Sequence, residues 1–400
     1  MKSGWQTRKL GDLCGIELGR TPSRANKSFW DEKRKTGNVW LSIADLLNAK
    51  ENVVVDSKEY LSDKGAAISK AVHEGTLLVS FKLTLGRLAF AGRDLFTNEA
   101  IAALSIFNER ELSREFLFYF LHFFDWVRAA ENDVKLKGMT LNKAKLKEMT
   151  VPFPSLDEQK RIVGILDGTF GGISTAKANA EKSLQNARAV FESRLQSVFK
   201  RQSNEVPLST LASEITDGDH SPPPKAPTGV PFITISDIVK RSREVDFSNT
   251  FMVSSEYFQN LKPNKKPRVG DVLYTVTGAT LGIPVLVKEQ RDFCFQRHIG
   301  LIRPKPDTDS AWLAYALLSP QVYSQATIGS TGAAQKTVSL SVLRGLKVPR
   351  LSTAEQERVA ARLDAIASET ERLAAIYERK LAALEALKKS LLHSAFSGEL

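Results

Sequence analysis

The sequence predicts an α+β protein: two mixed α/β globular blocks in a pseudo-twofold repeat, separated by two long helices that pair as an antiparallel coiled coil. Three observations lead there. VPFPSLDEQKRIV at residues 151–163 returns as VPRLSTAEQERVA at residues 348–360. Each copy opens roughly forty residues of heptad-like apolar spacing, the mark of a helix that needs a partner. Ahead of each copy, runs such as VWLSI, TLLVSF, PFITI and DVLYTV alternate with turn clusters, as short strands do.

The elements follow in order as a block at 1–154, a helix at 155–202, a second block at 203–351 and a second helix at 352–400. At a constant offset of 197, Leu146, Val151, Pro152, Ser155, Glu158, Gln159, Arg161, Leu166 and Asp167 match Leu343, Val348, Pro349, Ser352, Glu355, Gln356, Arg358, Leu363 and Asp364. The same offset carries LQSVF onto LHSAF, and WLSIADL parallels FITISDI further upstream. Ser155 with Glu158, and Ser352 with Glu355, have capping-box spacing, and prolines 152, 154 and 349 keep the approach extended. The seams run through Ile162, Leu166, Ile173, Ala180, Leu184, Ala187, Phe191 and Val198, then through Val359, Leu363, Ile366, Leu373, Tyr377, Leu384, Leu387 and Leu391. At 1.5 Å per residue each helix is roughly 60 Å long, and the natural partner for each seam is the other. GTFGGI at 168–173 predicts a kink or break. The aromatic run FLFYFLHFFDWV reads as a packed helix face, in preference to a base-stacking surface.

Composition narrows the function. Hydrophobic content of 42% and charged content of 25% suit a globular chain, and the net charge of +11 favours a polyanionic partner, nucleic acid first. Cys14 and Cys294 stand far apart with no ligand-spaced neighbours, so neither a disulfide framework nor a zinc site is expected. No apolar run is long enough to cross a bilayer, and the expectation is a cytoplasmic protein. Catalytic motifs are missing: there is no phosphate-binding Gly-x-x-x-x-Gly-Lys loop, no adenosylmethionine loop, no amino-methylation motif and no His-Glu-x-x-His helix. No catalytic residue and no metal ligand is therefore nominated.

What remains is a set of loops that join small residues to Lys or Arg, suited to close approach to phosphates and to reading base edges. They are GRTPSR, SFKLTLGR, TDGDHSPPPK and GSTGAAQK, and VTGATLG parallels the second of them without a basic residue. The DNA-contact candidates are Arg20, Arg24, Lys82, Thr84, Arg87, Lys137, Asp219, His220, Lys225, Thr277, Thr280, Gln335 and Lys336. Two other readings stay open: a scaffold of long helices that ignores DNA, and a self-sufficient DNA-modifying enzyme with an unrecognised site.

With LNKAKLKEMTVPFPSLDEQKRIVGILD, its second copy and the closing AFSGEL, the chain resembles the DNA-specificity subunits of type I restriction–modification systems over essentially its whole length. It departs from them at Glu99, where many relatives have Gln. The resemblance implies two target-recognition domains, each reading one half of a bipartite double-stranded DNA target, with the helices setting the spacer. It implies no cofactor bound directly. Two methyltransferase subunits would supply S-adenosylmethionine, and restriction/translocase subunits would use ATP and Mg. The repeated helix starts would be the methyltransferase docking surfaces, through Ser155, Glu158, Gln159, Arg161, Ser352, Glu355, Gln356 and Arg358.

Overall fold

The computed structural model describes residues 4–130, 134–135, 138–200, 204–221, 223–332 and 336–400. Two compact units divide it, one made of 1–179 with 380–400 and the other of 180–379.

In the first unit, five strands form the main sheet: β1 (Cys14–Leu18), β2 (Val53–Val54), β3 (Leu77–Ser80), β5 (Leu88–Ala91) and β6 (Ile101–Ile106), with β4 (Lys82–Leu83) lying outside it. Their spatial order is β1-β6-β3-β5-β2. Every pairing is antiparallel except β5 with β2. Period-two alternation divides the side chains. Leu77, Val79, Ala102 and Leu104 enter one core while Leu78, Ile101 and Ala103 enter another. Helix α1 (Arg114–Phe123) covers the first of these faces. Ser113 caps it, its hydroxyl accepting from Phe116 N at 3.2 Å. Residues 116 to 121 of α1 are all buried, so this part of the aromatic run is core, while His122 and Phe123 beyond it are exposed.

Helix α2 (Leu156–Lys200) starts on this unit. Its residues 156–179 run beside the last turns of the second long helix. Arg161 donates to Leu400 O at 2.9 Å, Lys388 lies 5.2 Å over the Phe170 ring, and Lys177 meets Glu385 at 2.7 Å. Rising numbers on one strand of the pair against falling numbers on the other make it antiparallel. Leu392, Ala395 and Phe396 enter the unit's core, with Phe396 against Phe116, Phe120 and Phe123.

The second unit repeats the plan. Strands β7 (Ala212–Asp217), β8 (Val272–Thr275), β9 (Pro284–Leu286) and β10 (Ile299–Pro304) pair antiparallel in the order β7-β10-β8-β9. Helices α3 (Ser310–Leu318) and α4 (Pro320–Ile328) follow, and α5 (Thr353–Ser397) is the second long helix. Asp309 caps α3 as Ser113 caps α1. Leu195 and Phe199, the end of α2, fill the core here at the positions that Leu392 and Phe396 fill in the first unit. Arg188 donates to Glu378 Oε1 at 3.0 Å along the helix pair.

Two expectations are corrected. The break at GTFGGI is absent, and α2 runs unbroken for 45 residues. The glycines face open space, while Phe170 and Ile173 are held by tertiary packing that offsets their weak helix propensity. The seam is also built differently. Ala180 and Ala187 are buried as expected, but Leu387 is 45% exposed, whereas Ala360, Ala367 and Ala374, outside the expected seam, are among the most buried positions of the second long helix. Alanine lets helices approach closely, a contribution that counting large apolar residues misses.

Candidate nucleic-acid interface

One loop is built the same way in both units. In the first, buried Ser80 ends β3. Its hydroxyl donates to Thr84 O at 2.5 Å and accepts from Arg87 N at 2.9 Å, and Gly86 N donates to Ser80 O at 2.8 Å. In the second, buried Thr275 ends β8. Its hydroxyl donates to Thr280 O and accepts from Ile283 N at 2.9 Å, and Gly282 N donates to Thr275 O at 2.8 Å. The Thr-Leu-Gly of each loop ends in left-handed backbone, with φ +73° at Gly86 and +89° at Gly282. A Cβ would come within 2.4 Å of Trp126 at the first position and 2.5 Å of Tyr323 at the second, so only glycine fits.

Two further segments converge on this edge. Phe81 N donates to Ala100 O, and Val276 N to His298 O, both at 3.0 Å. Leu141 N donates to Phe81 O and Val338 N to Val276 O, at 2.9 and 2.8 Å. After β1 and β7 the chain presses against the stretch just before Ala100 and His298: a Cβ on Gly19 would lie 2.1 Å from Thr97 O, and one on Gly218 would lie 1.9 Å from Phe295 O. Arg20 N and Asp219 N donate to those same two carbonyls at 2.8 and 3.0 Å.

The frame is common, but the side chains are not. In the first unit Lys82, Thr84 and Arg87 share the loop, with Thr84 exposed and Arg87 donating to Ile43 O at 3.2 Å. Thr21 donates to Glu99. Burial pushes that carboxyl up, but the bonds from Thr21 and its own backbone, with the charge of Lys82, outweigh it and leave Glu99 below the usual carboxylate range. Arg20 donates to Ile68 O at 3.1 Å. Arg24 is ion-paired with Glu59 and lies 4.2 and 4.9 Å over the rings of Trp30 and Trp40. Lys137 lies outside the described residues.

In the second unit Thr277 and Thr280, expected to face DNA, turn inward. Thr277 is 1% exposed, its hydroxyl between Thr337 Oγ1 at 3.3 Å and His298 Nδ1 at 3.2 Å, and the Thr280 hydroxyl is buried. Thr277 thereby braces the loop from inside, beside the bonds that Thr275 makes. Burial, then the charge of Arg297, push His298 below its ordinary value. Asp219 is held by Tyr257 and by Lys265 at 3.3 Å, His220 is exposed beside Asp217 at 3.0 Å, and Lys225 lies 5.2 Å over Phe251. Lys336 is exposed and Gln335 lies outside the described residues. Glu99, Arg297 and His298 join the edge without having been nominated. The parallel between FTNEAI and CFQRHI was the available signal.

The helix starts divide by exposure. Ser155, Arg161, Ser352, Glu355 and Arg358 are exposed, and Glu158 is half-buried against Arg161 at 2.7 Å. Glu355 accepts from the Ser352 hydroxyl at 2.7 Å and from Ser352 N at 3.0 Å, and these bonds hold it below the usual carboxylate range. Gln159 and Gln356 correct the expectation that they face a partner, being 0% and 2% exposed. Gln159 accepts from Ser113 N at 2.9 Å and donates to Glu111 O and Pro154 O at 2.8 and 2.9 Å. Gln356 accepts from Asp309 N at 2.7 Å and donates to Leu351 O at 2.9 Å. Each glutamine therefore ties a long helix to the N-cap of α1 or α3. Nearby, Tyr119 donates to Asp167, and Tyr315 to Asp364 at 2.5 Å. Among the described residues no group of three or more His, Cys, Asp or Glu is placed to hold a metal, and no helix is long and apolar enough to cross a membrane.

Comparison with known proteins gives the same two-part division. A family model for the type I restriction modification DNA specificity domain matches residues 2–182 and again 194–379. The putative type I restriction enzyme MjaX specificity subunit of Methanocaldococcus jannaschii is 24% identical over 99% of this chain and 93% of its own length. The EcoBI specificity subunit of Escherichia coli is 22% identical over 82% of this chain and 74% of its own. The match to the MjaIX specificity subunit of M. jannaschii is 25% identical and spans 40% of this chain and 37% of that relative. Among solved structures, a chain from work on complex assembly and conformational transition of the type I R-M system superposes with TM-score 0.76 at 20% identity, covering 100% of this chain and 99% of that one. The HsdS subunit of Thermoanaerobacter tengcongensis superposes at 0.58 and 19% identity, covering 100% and 98%. With its two matched domains and its paired helices, the chain belongs to the type I restriction–modification DNA specificity family, as a non-catalytic specificity subunit with two target-recognition domains.

Proposed function

We propose that each unit reads one half of a bipartite DNA target with the edge formed by its Thr-Leu-Gly loop and the two segments beside it, and that the paired helices set the spacer. The observation that carries this reading is one backbone frame built twice and furnished differently. Lys82, Arg87 and Glu99 stand in one unit where Thr277, Ile283 and Arg297 stand in the other. A shared frame gives the same approach to a duplex, while unlike side chains give unlike half-sites. The exposed cations near it, Arg20, Arg24, Lys225 and Lys336, supply phosphate contacts. Ser155, Glu158 and Arg161, with Ser352, Glu355 and Arg358, form two equivalent docking surfaces for two methyltransferase subunits, which bring S-adenosylmethionine. Restriction/translocase subunits using ATP and Mg complete the complex.

The test is an exchange of residues 203–354 for the equivalent block of a relative, followed by sequencing of the methylated positions in DNA modified by the complex. One half of the target changes and the other stays. A change in both halves, or in neither, refutes modular reading.

A further inference from the structure

Five non-glycine residues among those described have left-handed backbone, and four of them are Arg34, Glu51, Asn52 and Arg243. The fifth is Leu83, with φ +64°, the only apolar one of the set. A leucine in this region is strained, because its Cβ crowds the backbone. It is also 52% exposed, so burial does not offset that strain. Leu83 sits on the Thr-Leu-Gly loop between Lys82 and Thr84, and backbone pairing fixes it there: β4 pairs with residues 138–140, Leu83 opposite Met139 and Lys82 opposite Thr140. Thr277, the counterpart of Lys82, pairs with Thr337 in the same way, and the next residue is Gly278 at φ +76°. The same left-handed position thus carries glycine in one unit and an exposed leucine in the other.

Strained, exposed apolar residues persist where the surroundings fix them for a task. We propose that Leu83 is a specificity residue, making apolar contact with the 5-methyl group of a thymine in the half-site read by the first unit. The second unit has no such contact, since Gly278 lacks the side chain. Apolar contact with a thymine methyl is a base-edge contact that the charged ends of Lys82 and Arg87 do not supply, and Leu83 is the largest apolar side chain exposed on this loop. The inference rests on the reading that this loop meets DNA.

The experiment uses the full chain assembled with its modification subunits. The target is mapped from methylated positions, and the half-site belonging to the first unit is the one that survives exchange of residues 203–354. Each thymine of that half-site, on both strands, is then replaced in turn by deoxyuridine, which removes only the methyl group. Binding by the unaltered chain falls about four-fold at one position, the value of one buried methyl group. Leu83→Met keeps that difference. Leu83→Gly binds the thymine and uracil duplexes alike, and its melting temperature does not fall, because glycine suits the left-handed backbone. Discrimination by Leu83→Gly equal to that of the unaltered chain, or no position sensitive to uracil, overturns the proposal. Lys82→Ala separates the two levels. If it weakens binding while Leu83→Gly still discriminates, only the role of Leu83 fails; if it leaves affinity and salt dependence unchanged, the loop does not meet DNA and the underlying reading fails.

Discussion

Replacing Gln159 by leucine keeps the side chain's size but removes its hydrogen bonds. Ser113 N, Glu111 O and Pro154 O lose their partner, at a site where the glutamine is fully buried. At about 1 kcal/mol for each lost bond, with some further cost for polar groups left buried, the first unit loses about 3 kcal/mol. The extra apolar burial of leucine offsets part of this. Gln356→Leu removes the bonds to Asp309 N, Leu351 O and Asp307 O and costs the second unit a similar amount. Urea unfolding followed by tryptophan fluorescence reports both, since Trp126 lies in the first core and Trp312 in the second. Each variant shifts the transition of its own unit and leaves the other in place. Arg161→Ala is the contrast. Arg161 is exposed and bonded to Glu158 and Leu400 O, so its loss leaves the urea transition nearly in place, while methyltransferase retention falls. The reasoning is refuted if Gln159→Leu unfolds at the same urea concentration as the parent yet fails to retain the methyltransferase, for then the glutamine faces the partner.

Three other outcomes are expected. Inserting four residues into both α2 and α5 changes the preferred spacer, read by methylation sequencing, and leaves both half-sites unaltered. Alanine at Lys82, Lys225 or Lys336 weakens DNA binding, and each one that touches only phosphate lowers the slope of log affinity against log salt by about one unit, measured by titration at several salt concentrations. Gly86→Ala and Gly282→Ala force a Cβ into Trp126 or Tyr323 from a left-handed backbone, which costs about 2 kcal/mol or more and abolishes reading of one half-site each, seen by calorimetry and by binding to targets with that half-site randomised.

The repeat and the helix starts were legible because each is written locally, in spacing and in turn residues. Pro349 and Ser352 announce a helix before any contact is known. The burial of Gln159 was not legible. Glu-Gln-x-Arg at a helix start reads as an exposed polar turn, and only the fold brings Ser113 to the glutamine. The inward turn of Thr277 was hidden for the same reason, since Thr337 and His298 are distant in the chain. In the seam, the burial of Ala367 and Ala374 and the exposure of Leu387 both run against hydrophobic size. What needed the structure was which polar side chains are spent on the fold itself.

The exchange of helix ends has a consequence for half of the chain. The first unit's core is completed by Leu392, Ala395 and Phe396, and the second unit's by Leu195 and Phe199. A fragment of residues 1–200 keeps the first block and α2 but lacks the segment that covers Phe116, Phe120 and Phe123. It also carries Leu195 and Phe199 with nothing to pack on. LQSVF matches LHSAF in spacing, so the tail of one copy can enter the groove of another, and the converse contact closes a symmetric pair. Burying one leucine and one phenylalanine is worth about 1.5–3 kcal/mol each, and two such tails are buried per pair. The fragment therefore sediments as a dimer at micromolar concentration, and Phe199→Asp returns it to a monomer. A folded monomer of residues 1–200 at that concentration would show that the helix end is dispensable to the core, and the pairing of unlike lobes in one chain would need another cause.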